Sequence, residues 1–344
     1  MITMAGKFVK KKKRSAFKKT ICLLFVVLLL GALVAYIYVD RMLGLIERQP
    51  VDQETLSNEE IFEIENQTDP EDNAFTGPVI DPTDVTWATE PAEIVAEEYI
   101  TNILLIGQDR RPGQGRQRSD AMILCSINEK TNTITMTSFL RDLYVQIPGY
   151  QDNRLNAPYA LGGMELLKQT LLTNFGVVVD GCVEVDFSQF EKIVDLLGGV
   201  DIELTSAEAA HLNNSGYSLR AGMNHMDGEA ALAYSRIRYI GTDFGRTNRQ
   251  RTVLAAMIEQ SRSMSLAKLH TLLENVLGLV TTDLSNGQIL QLVTNCFPML
   301  GDLQVKTQYV PAEGTYQFAS IRGMSVIVAD MEANRQMLAD TIKQ

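Results

Sequence analysis

Nineteen consecutive positions, 21–39 (ICLLFVVLLLGALVAYIYV), carry no charged side chain. As a helix, that run is long enough to cross a hydrocarbon layer about 30 Å thick, and it exceeds the roughly 7–15 apolar residues of a cleaved leader. It predicts one N-terminal transmembrane helix. Between 45 and 95 the pattern dissolves: acids are frequent, prolines recur at 50, 70, 78, 82 and 91, and only Ile61, Phe62 and Ile64 cluster. This composition predicts a flexible, self-repelling tether. From Glu98 onward, order returns. NILLIG (102–107), AMILCSI (121–127), TITMTSF (133–139), VEVDF (183–187) and VDIEL (200–204) read as strands. Helical spacing marks 157–175, about 228–237, 247–262, 266–279 and 285–295, and a last helix after strands near 303–310 and 325–329. Ser188 with Glu191 matches a capping box for a helix ending at Leu197, before Gly198-Gly199. Strands and helices alternate, so the expected fold class is α/β, layered around a central mixed sheet. The expected organisation is a tail (1–20), a membrane helix (21–39), a linker (40–96) and one catalytic domain (97–344).

Charge sharpens this picture. Residues 1–19 hold eight cations and no acid, whereas the whole chain carries −11, so the remainder carries −19. A basic flank before the apolar run places the N-terminus in the cytoplasm and the body outside, by the positive-inside rule. The same flank favours anionic membrane lipid. A body this acidic is a poor partner for nucleic acid, because duplex binding needs positive charge to displace counterions. Cys22, Cys125, Cys182 and Cys296 show no CxxC spacing, and His211, His225 and His270 are scattered, which argues against zinc. One disulfide is compatible with these cysteines, with no pairing assigned.

Three polar stretches stand out. Strand NILLIG runs into Gln108-Asp109-Arg110-Arg111, and Arg118-Ser119-Asp120 opens the next strand, so two carboxylates flank one glycine-containing loop. In α/β sheets ligands bind outside strand carboxyl ends, and paired carboxylates beside a phosphate suit Mg²⁺, or Mn²⁺. Arg141-Asp142 follows the third strand. Finally, Arg236, Arg238, Arg246, Arg249 and Arg251 fall within sixteen residues, together with Asp243 and Gln250. Arg246, Arg249 and Gln250 share one helix face by i, i+3, i+4 spacing. Guanidinium forks at a helix N-terminus favour phosphate. Many arginines with a divalent ion point to a pyrophosphate, whose chemistry needs positioning and charge stabilisation rather than a Ser/His/Asp set. No such set, no GxxxxGK[ST] and no GxGxxG after a strand is present.

With NILLIGQDRR, RSDAMIL, SFLRDLYVQIP, RLNAPYALGG, the 186–204 stretch and YSRIRYIGTDFGRTNRQR in order, the chain resembles the LytR–CpsA–Psr family. The resemblance implies a three-layer α/β/α fold with a hydrophobic polyprenyl pocket. It implies a phosphotransferase that passes a glycopolymer (teichoic acid, capsule or another wall polysaccharide) from undecaprenyl pyrophosphate to a peptidoglycan hydroxyl, at the bacterial cell membrane. The family's metal carboxylates fall on Asp109 and Asp120. Its pyrophosphate-binding positions fall on Arg118, Arg141, Arg236, Arg238 and Arg246, with Arg249 and Gln250 in the same motif. Asp243 or Asp142 is the candidate base for the acceptor hydroxyl. Met164, Leu167, Leu171 and Phe190 are candidates for the lipid pocket. A polyprenyl-pyrophosphate hydrolase and a non-catalytic envelope sensor are the competing readings.

Overall fold

The computed structural model describes residues 40–48, 56–69, 72, 75–88, 92–94, 96–110, 115–238, 240, 243–299 and 301–343. The chain divides into two compact units, 1–46 and 47–344. Of the first, residues 40–46 are described, opening with a helical turn at 40–43. The expected membrane helix at 21–39 lies outside the described residues. Among those described, no helix is long and apolar enough to cross a membrane.

The second unit begins with β1 (Glu47–Arg48), α1 (Asn58–Asn66), β2 (Ile100–Gln108), β3 (Ser119–Asn128) and β4 (Thr133–Phe139). Two short strands, β5 (Tyr144–Val145) and β6 (Asn153–Arg154), pair before α2 (Ala157–Phe175), β7 (Gly181–Asp186) and α3 (Phe187–Leu196). Next come β8 (Val200–Leu204), α4 (Ser206–Asn214), β9 (Gly222–Met226), α5 (Gly228–Ser235), α6 (Asp243–Arg262) and α7 (Leu266–Leu277). β10 (Thr281–Thr282), α8 (Asn286–Met299), β11 (Gln304–Val310), β12 (Tyr316–Ile321), β13 (Met324–Ala329) and α9 (Met331–Ile342) complete it.

Seven strands form a mixed sheet in the order β1-β10-β7-β2-β3-β4-β11. β2 runs parallel to β7, β3 antiparallel to β2 and β4, and β11 parallel to β4. Side chains alternate between the two faces of a strand. Leu104, Ile106, Met122 and Leu124 therefore point together into a core shared with α2 and α9. Ile103, Leu105, Ile123 and Val183 point the other way, toward α3, α6, α7 and α8. Helices cover both faces, giving the expected three-layer α/β/α architecture. α2 is kinked at Gly162-Gly163, where Gly163 adopts φ 66°, ψ −154°, a region essentially open only to glycine.

Three local expectations are corrected. The cap of α3 is Asp186, which accepts from Gln189 N at 2.8 Å while the Gln189 side chain accepts from Asp186 N; the expected Ser188/Glu191 pairing lies two residues too late. α6 starts at Asp243 rather than 247, so the arginine motif is helical from its first turn. The stretch read as a loose tether packs on the domain over much of its described length. Ser57 and Glu60 form a capping box that opens α1, Ile61 and Ile64 pack against the main core, and Asn153 Nδ2 donates to Glu65 O at 2.8 Å. Further on, Ile80 N bonds Ser320 O at 3.0 Å, and Trp87 stacks on Tyr144 with ring centroids 5.9 Å apart. Its acids do not simply repel one another, because some are partners of buried arginines.

Candidate active site

Topology gathers the charged stretches at one edge. β2, β7, β4 and β11 all run in the same direction, so Gln108, Asp186, Phe139 and Val310 end together. Antiparallel β3 starts at that edge, with Ser119 opposite Gln108 across a register shift. Asp109, Asp120, Arg141 and Asp142 thus emerge side by side, at the place where such sheets bind ligands.

Specific contacts fix them. Arg141, only 7% exposed, pairs with Asp120 at 2.9 Å through Nη1 and with Asp142 at 3.5 Å through Nε. Arg236, at the end of α5, reaches Asp109 at 3.7 Å, and its guanidinium lies over the Phe187 ring at 4.4 Å. Both members of the Arg236–Asp109 pair are about half exposed (53% and 45%), so each remains accessible to an incoming anion or cation. Arg238 is exposed on the same loop, whereas Arg246 is buried in the first turn of α6. Phe244 anchors that turn on Tyr309 and Tyr316, with ring centroids at 4.9 and 5.0 Å. Asp243 opens the helix.

Below the edge lies an apolar cavity. A compartment of about 210 Å³ is bounded by Gly107, Asp186, Phe187, Phe190, Ser235 and Gln250 at its polar end. Leu105, Ile193, Leu254 and Met257 line both it and a neighbouring, more open compartment of about 650 Å³ among α3, α6, α7 and α8. Gln250 lines this compartment, and its Oε1 is buried with no hydrogen-bond partner among the described residues. Of the four lipid-pocket candidates, Phe190 lines this cavity. Met164, Leu167 and Leu171 do not; they fill the core on the opposite face of the sheet, because α2 and α3 lie on different sides of it.

Two of the expected pyrophosphate ligands have other partners. Arg249 is buried and donates to Glu208 at 2.7 Å and to the carbonyls of Ile237 (3.1 Å) and Ile240 (2.7 Å). It holds the loop that carries Arg236 and Arg238. Arg118 donates to the Ile64 carbonyl of α1 and sits beside Arg154. Burial, then the neighbouring Arg154 charge, push its pKa down to about 10, against the pull of Asp69, Asp142 and Asp72. It belongs to the clasp on α1.

Burial pushes the Glu208 carboxyl up, but bonds from Thr205 N, Arg249 and the Thr205 hydroxyl outweigh it, and the net shift is below the usual value of 4.5. A depressed carboxyl contributes stability above its unfolded pKa and loses it as pH falls through the folded value. Urea midpoints should therefore drop as pH falls below about 4.5, and Glu208→Gln should show a shallower drop while being destabilised at pH 7 by about 1–3 kcal/mol. Parallel pH profiles for the two proteins would refute this assignment.

Sequence reading missed one cluster. Glu184 is buried on β7, accepts from Tyr159 Oη at 2.5 Å and from the Gln108 amide, and faces Arg110 at 3.7 Å. Gln108 Oε1 in turn accepts from Gln117 N at 3.0 Å. The network ties both ends of the Asp109 loop to the sheet. Its signal was present in VEVDF: a carboxylate at the alternate position of a central strand is covered by a helix, so it must be paired.

Among the described residues no group of three His, Cys, Asp or Glu could hold a metal. Asp109 and Asp120 nevertheless fit Mg²⁺ of the kind that takes one or two carboxylates and completes its shell with substrate phosphate and water. Both keep exposed carboxylate surface, 45% and 30%. Cys125, Cys182 and Cys296 are free thiols, and Cys22 lies outside the described residues.

Fold and site define a class: an α/β/α protein with a charged edge, arginine and carboxylate together, above a long apolar cavity. The chain belongs to the LytR–CpsA–Psr family, the LytR_cpsA_psr family profile matching residues 65–343. That match starts well inside the stretch expected as linker. Regulatory protein MsrR of Staphylococcus aureus (strain COL) is 31% identical over 248 residues, 71% of this chain and 74% of its own length. The polyisoprenyl-teichoic acid–peptidoglycan teichoic acid transferase TagU of Oceanobacillus iheyensis is 32% identical over 285 residues, 80% and 86% of the two chains. Among solved structures, TagT bound to LI-WTA superposes with a TM-score of 0.59 at 27% identity, covering 75% of this chain and 98% of that one. B. subtilis TagV gives 0.59 at 26% identity, covering 72% and 97%.

Proposed function

We propose that this chain is a membrane-anchored phosphotransferase of the cell wall. It takes a glycopolymer from undecaprenyl pyrophosphate and joins it to a peptidoglycan hydroxyl. The observation that carries this reading is the Arg236–Asp109 pair standing against Phe187 and next to Ser235, two residues that line the apolar cavity. A twice-phosphorylated head on a long hydrocarbon tail matches that juxtaposition. TagU, similar over most of both chains, supports the transferase class.

In this reading Arg236 and Arg238 bind phosphate oxygens, and Arg141 orients Asp120. Mg²⁺ held by Asp109 and Asp120 would neutralise charge on the pyrophosphate. The acceptor oxygen bonds to the phosphorus that carries the polymer, the phosphoanhydride bond breaks, and undecaprenyl phosphate leaves. The acceptor proton goes to a base. Asp142 is held between Arg141 (3.5 Å) and Arg154 (3.9 Å), which favours Asp243 as the residue to test for that role. The basic tail and apolar run support a single-pass topology, with the N-terminus cytoplasmic and the catalytic domain extracellular.

Met257→Trp tests the cavity. Met257 lines both compartments, so an indole there should obstruct a long tail. Transfer from a donor with a full polyprenyl tail should fall about 10-fold or more, while a short-tailed donor loses little, on the scale that overfilling a packed apolar site costs. Equal loss for both donors would remove the tail from the cavity. The name of MsrR favours a second, regulatory reading. Product analysis separates the three: polymer joined to peptidoglycan for the transferase, free phosphorylated polymer for a hydrolase, and neither for a sensor.

A further inference from the structure

A second cavity, of about 530 Å³, opens on the domain surface between the 80–88 segment, the β12–β13 hairpin and the start of α9. Its walls are chemically unlike those of the tail cavity. Trp87 and Tyr316 supply two half-buried aromatic surfaces, and the polar lining includes Asp84, Gln317, Asp330 and Glu332. Among the described residues lining it there is no Lys, Arg or His. Asp330 also caps α9, accepting from Ala333 N at 3.1 Å, and Trp87 is backed by Tyr144, which fixes the indole against the cleft.

Two contacts join this cleft to the active edge. Tyr316 packs on Phe244, two residues before Arg246. On the other wall, Ile327 N donates to Asp142 O at 2.8 Å, immediately before the lining residue Val328. The cleft therefore runs beside the arms that carry Arg246 and Arg141-Asp142, while the lipid cavity lies beneath the sheet. Aromatic faces combine an apolar surface with tolerance of polar neighbours, and carboxylates and an amide offer hydrogen-bond acceptors and donors for hydroxyl and amino groups. An acidic lining repels a phosphate-rich polymer and attracts an amine, as electrostatic complementarity requires.

We propose that this cleft is a saccharide-binding subsite for an amine-bearing sugar chain, placed to hold the acceptor of the transfer reaction. Its acceptor role rests on the transferase reading above; its sugar binding does not. Trp87 is the only tryptophan in the chain, so indole fluorescence reports on this site alone.

The test is to titrate the full-length protein in detergent with three probes: a hexamer of glucosamine, a hexamer of N-acetylglucosamine and a short polyglycerol phosphate. The glucosamine hexamer should change Trp87 emission saturably and bind most tightly, its affinity falling with added salt. Asp84→Asn with Glu332→Gln should weaken it at least tenfold; both side chains are exposed, so the fold should survive. Polyglycerol phosphate should leave the emission unchanged. No response to either sugar, or equal binding by the double variant, would overturn the site. Equal affinity for the two hexamers would overturn the role of the carboxylates. In transfer assays the double variant should raise the acceptor KM with kcat and donor KM unchanged. Transfer with an unmoved acceptor KM overturns the acceptor role, whereas sugar binding without any transfer by the wild type sinks the transferase reading alone.

Discussion

Replacing Asp109 by Asn should lower transfer from a lipid-pyrophosphate oligosaccharide about 100-fold or more, the scale on which removing one preorganised charge at a reacting centre acts. Stability should change by no more than about 0.5 kcal/mol, because surface substitutions away from packed features rarely do more. Asp109 is 45% exposed, and Arg236, its ion-pair partner at 3.7 Å, is itself half exposed, so little of the fold leans on the pair. The physical reason for a large catalytic effect is different. Carboxylate and guanidinium meet beside Phe187, which lines the apolar cavity, so in the proposed reaction the pyrophosphate head would lie between them. Asn keeps the shape and removes the negative charge that a divalent ion requires. Chelation by EDTA should abolish activity in the wild type, and Mg²⁺ should restore it. Arg246 calls for a gentler substitution than alanine, since it is only 4% exposed and truncation would leave a void as well as remove a charge. Arg246→Lys keeps the charge and loses the planar fork; it should reduce transfer while holding the melting temperature within a few degrees. Wild-type turnover in purified Asp109→Asn would show that the chemistry lies elsewhere on the molecule.

The parts of this molecule legible in the sequence are those governed by local patterning. β2, β3 and β4 announce themselves because their apolar residues either run continuously or alternate, and their polar endings mark the edge where Asp109, Asp120 and Arg141 stand. β9 and β12 went unread: GMNHM and YQFASI carry no clean alternation, and each forms because an antiparallel partner fixes it, Met226 facing Val200 across the α4 connection and Ile321 facing Met324 in a hairpin. The arginines teach a related lesson. Arg236, Arg246 and Arg249 look alike as letters in one motif. Arg249 is set apart by Glu208, forty-one residues earlier in the chain, and no spacing rule predicts that. The lipid-pocket candidates failed to separate for the same reason. Met164 on α2 and Phe190 on α3 are both apolar helix positions, and only the sheet between their helices decides which one meets the cavity.

The largest loss of stability should come from Arg154→Met. This arginine is 1% exposed and gathers Asp69 at 3.1 Å, Asp72 at 3.2 Å and Asp142 at 3.9 Å, with Nη2 donating to the Gln67 carbonyl at 3.0 Å. Three separate stretches of chain thus converge on one guanidinium: the α1 segment, the loop after β4 and β6. Methionine fills much of the same volume but leaves the Asp72 side chain, also 1% exposed, without its counter-charge. Breaking one member of a buried pair typically costs about 3–5 kcal/mol, which for a domain of this size lowers the melting temperature by on the order of 10 °C. Asp72 keeps two backbone donors, Ser325 N at 2.8 Å and Asp69 N at 2.6 Å. They moderate the penalty and explain how Asp72→Asn in the Arg154→Met background should recover part of it, since the amide oxygen can still accept while the unpaired charge is gone. Activity should fall along with stability even below the melting transition, because Arg154 abuts Asp142, Asp142 pairs with Arg141, and Arg141 positions Asp120. A melting temperature for Arg154→Met within 2 °C of the wild type by calorimetry, roughly the smallest shift that a 1 kcal/mol loss would give, would mean that the α1 segment is not clamped to the domain through this residue.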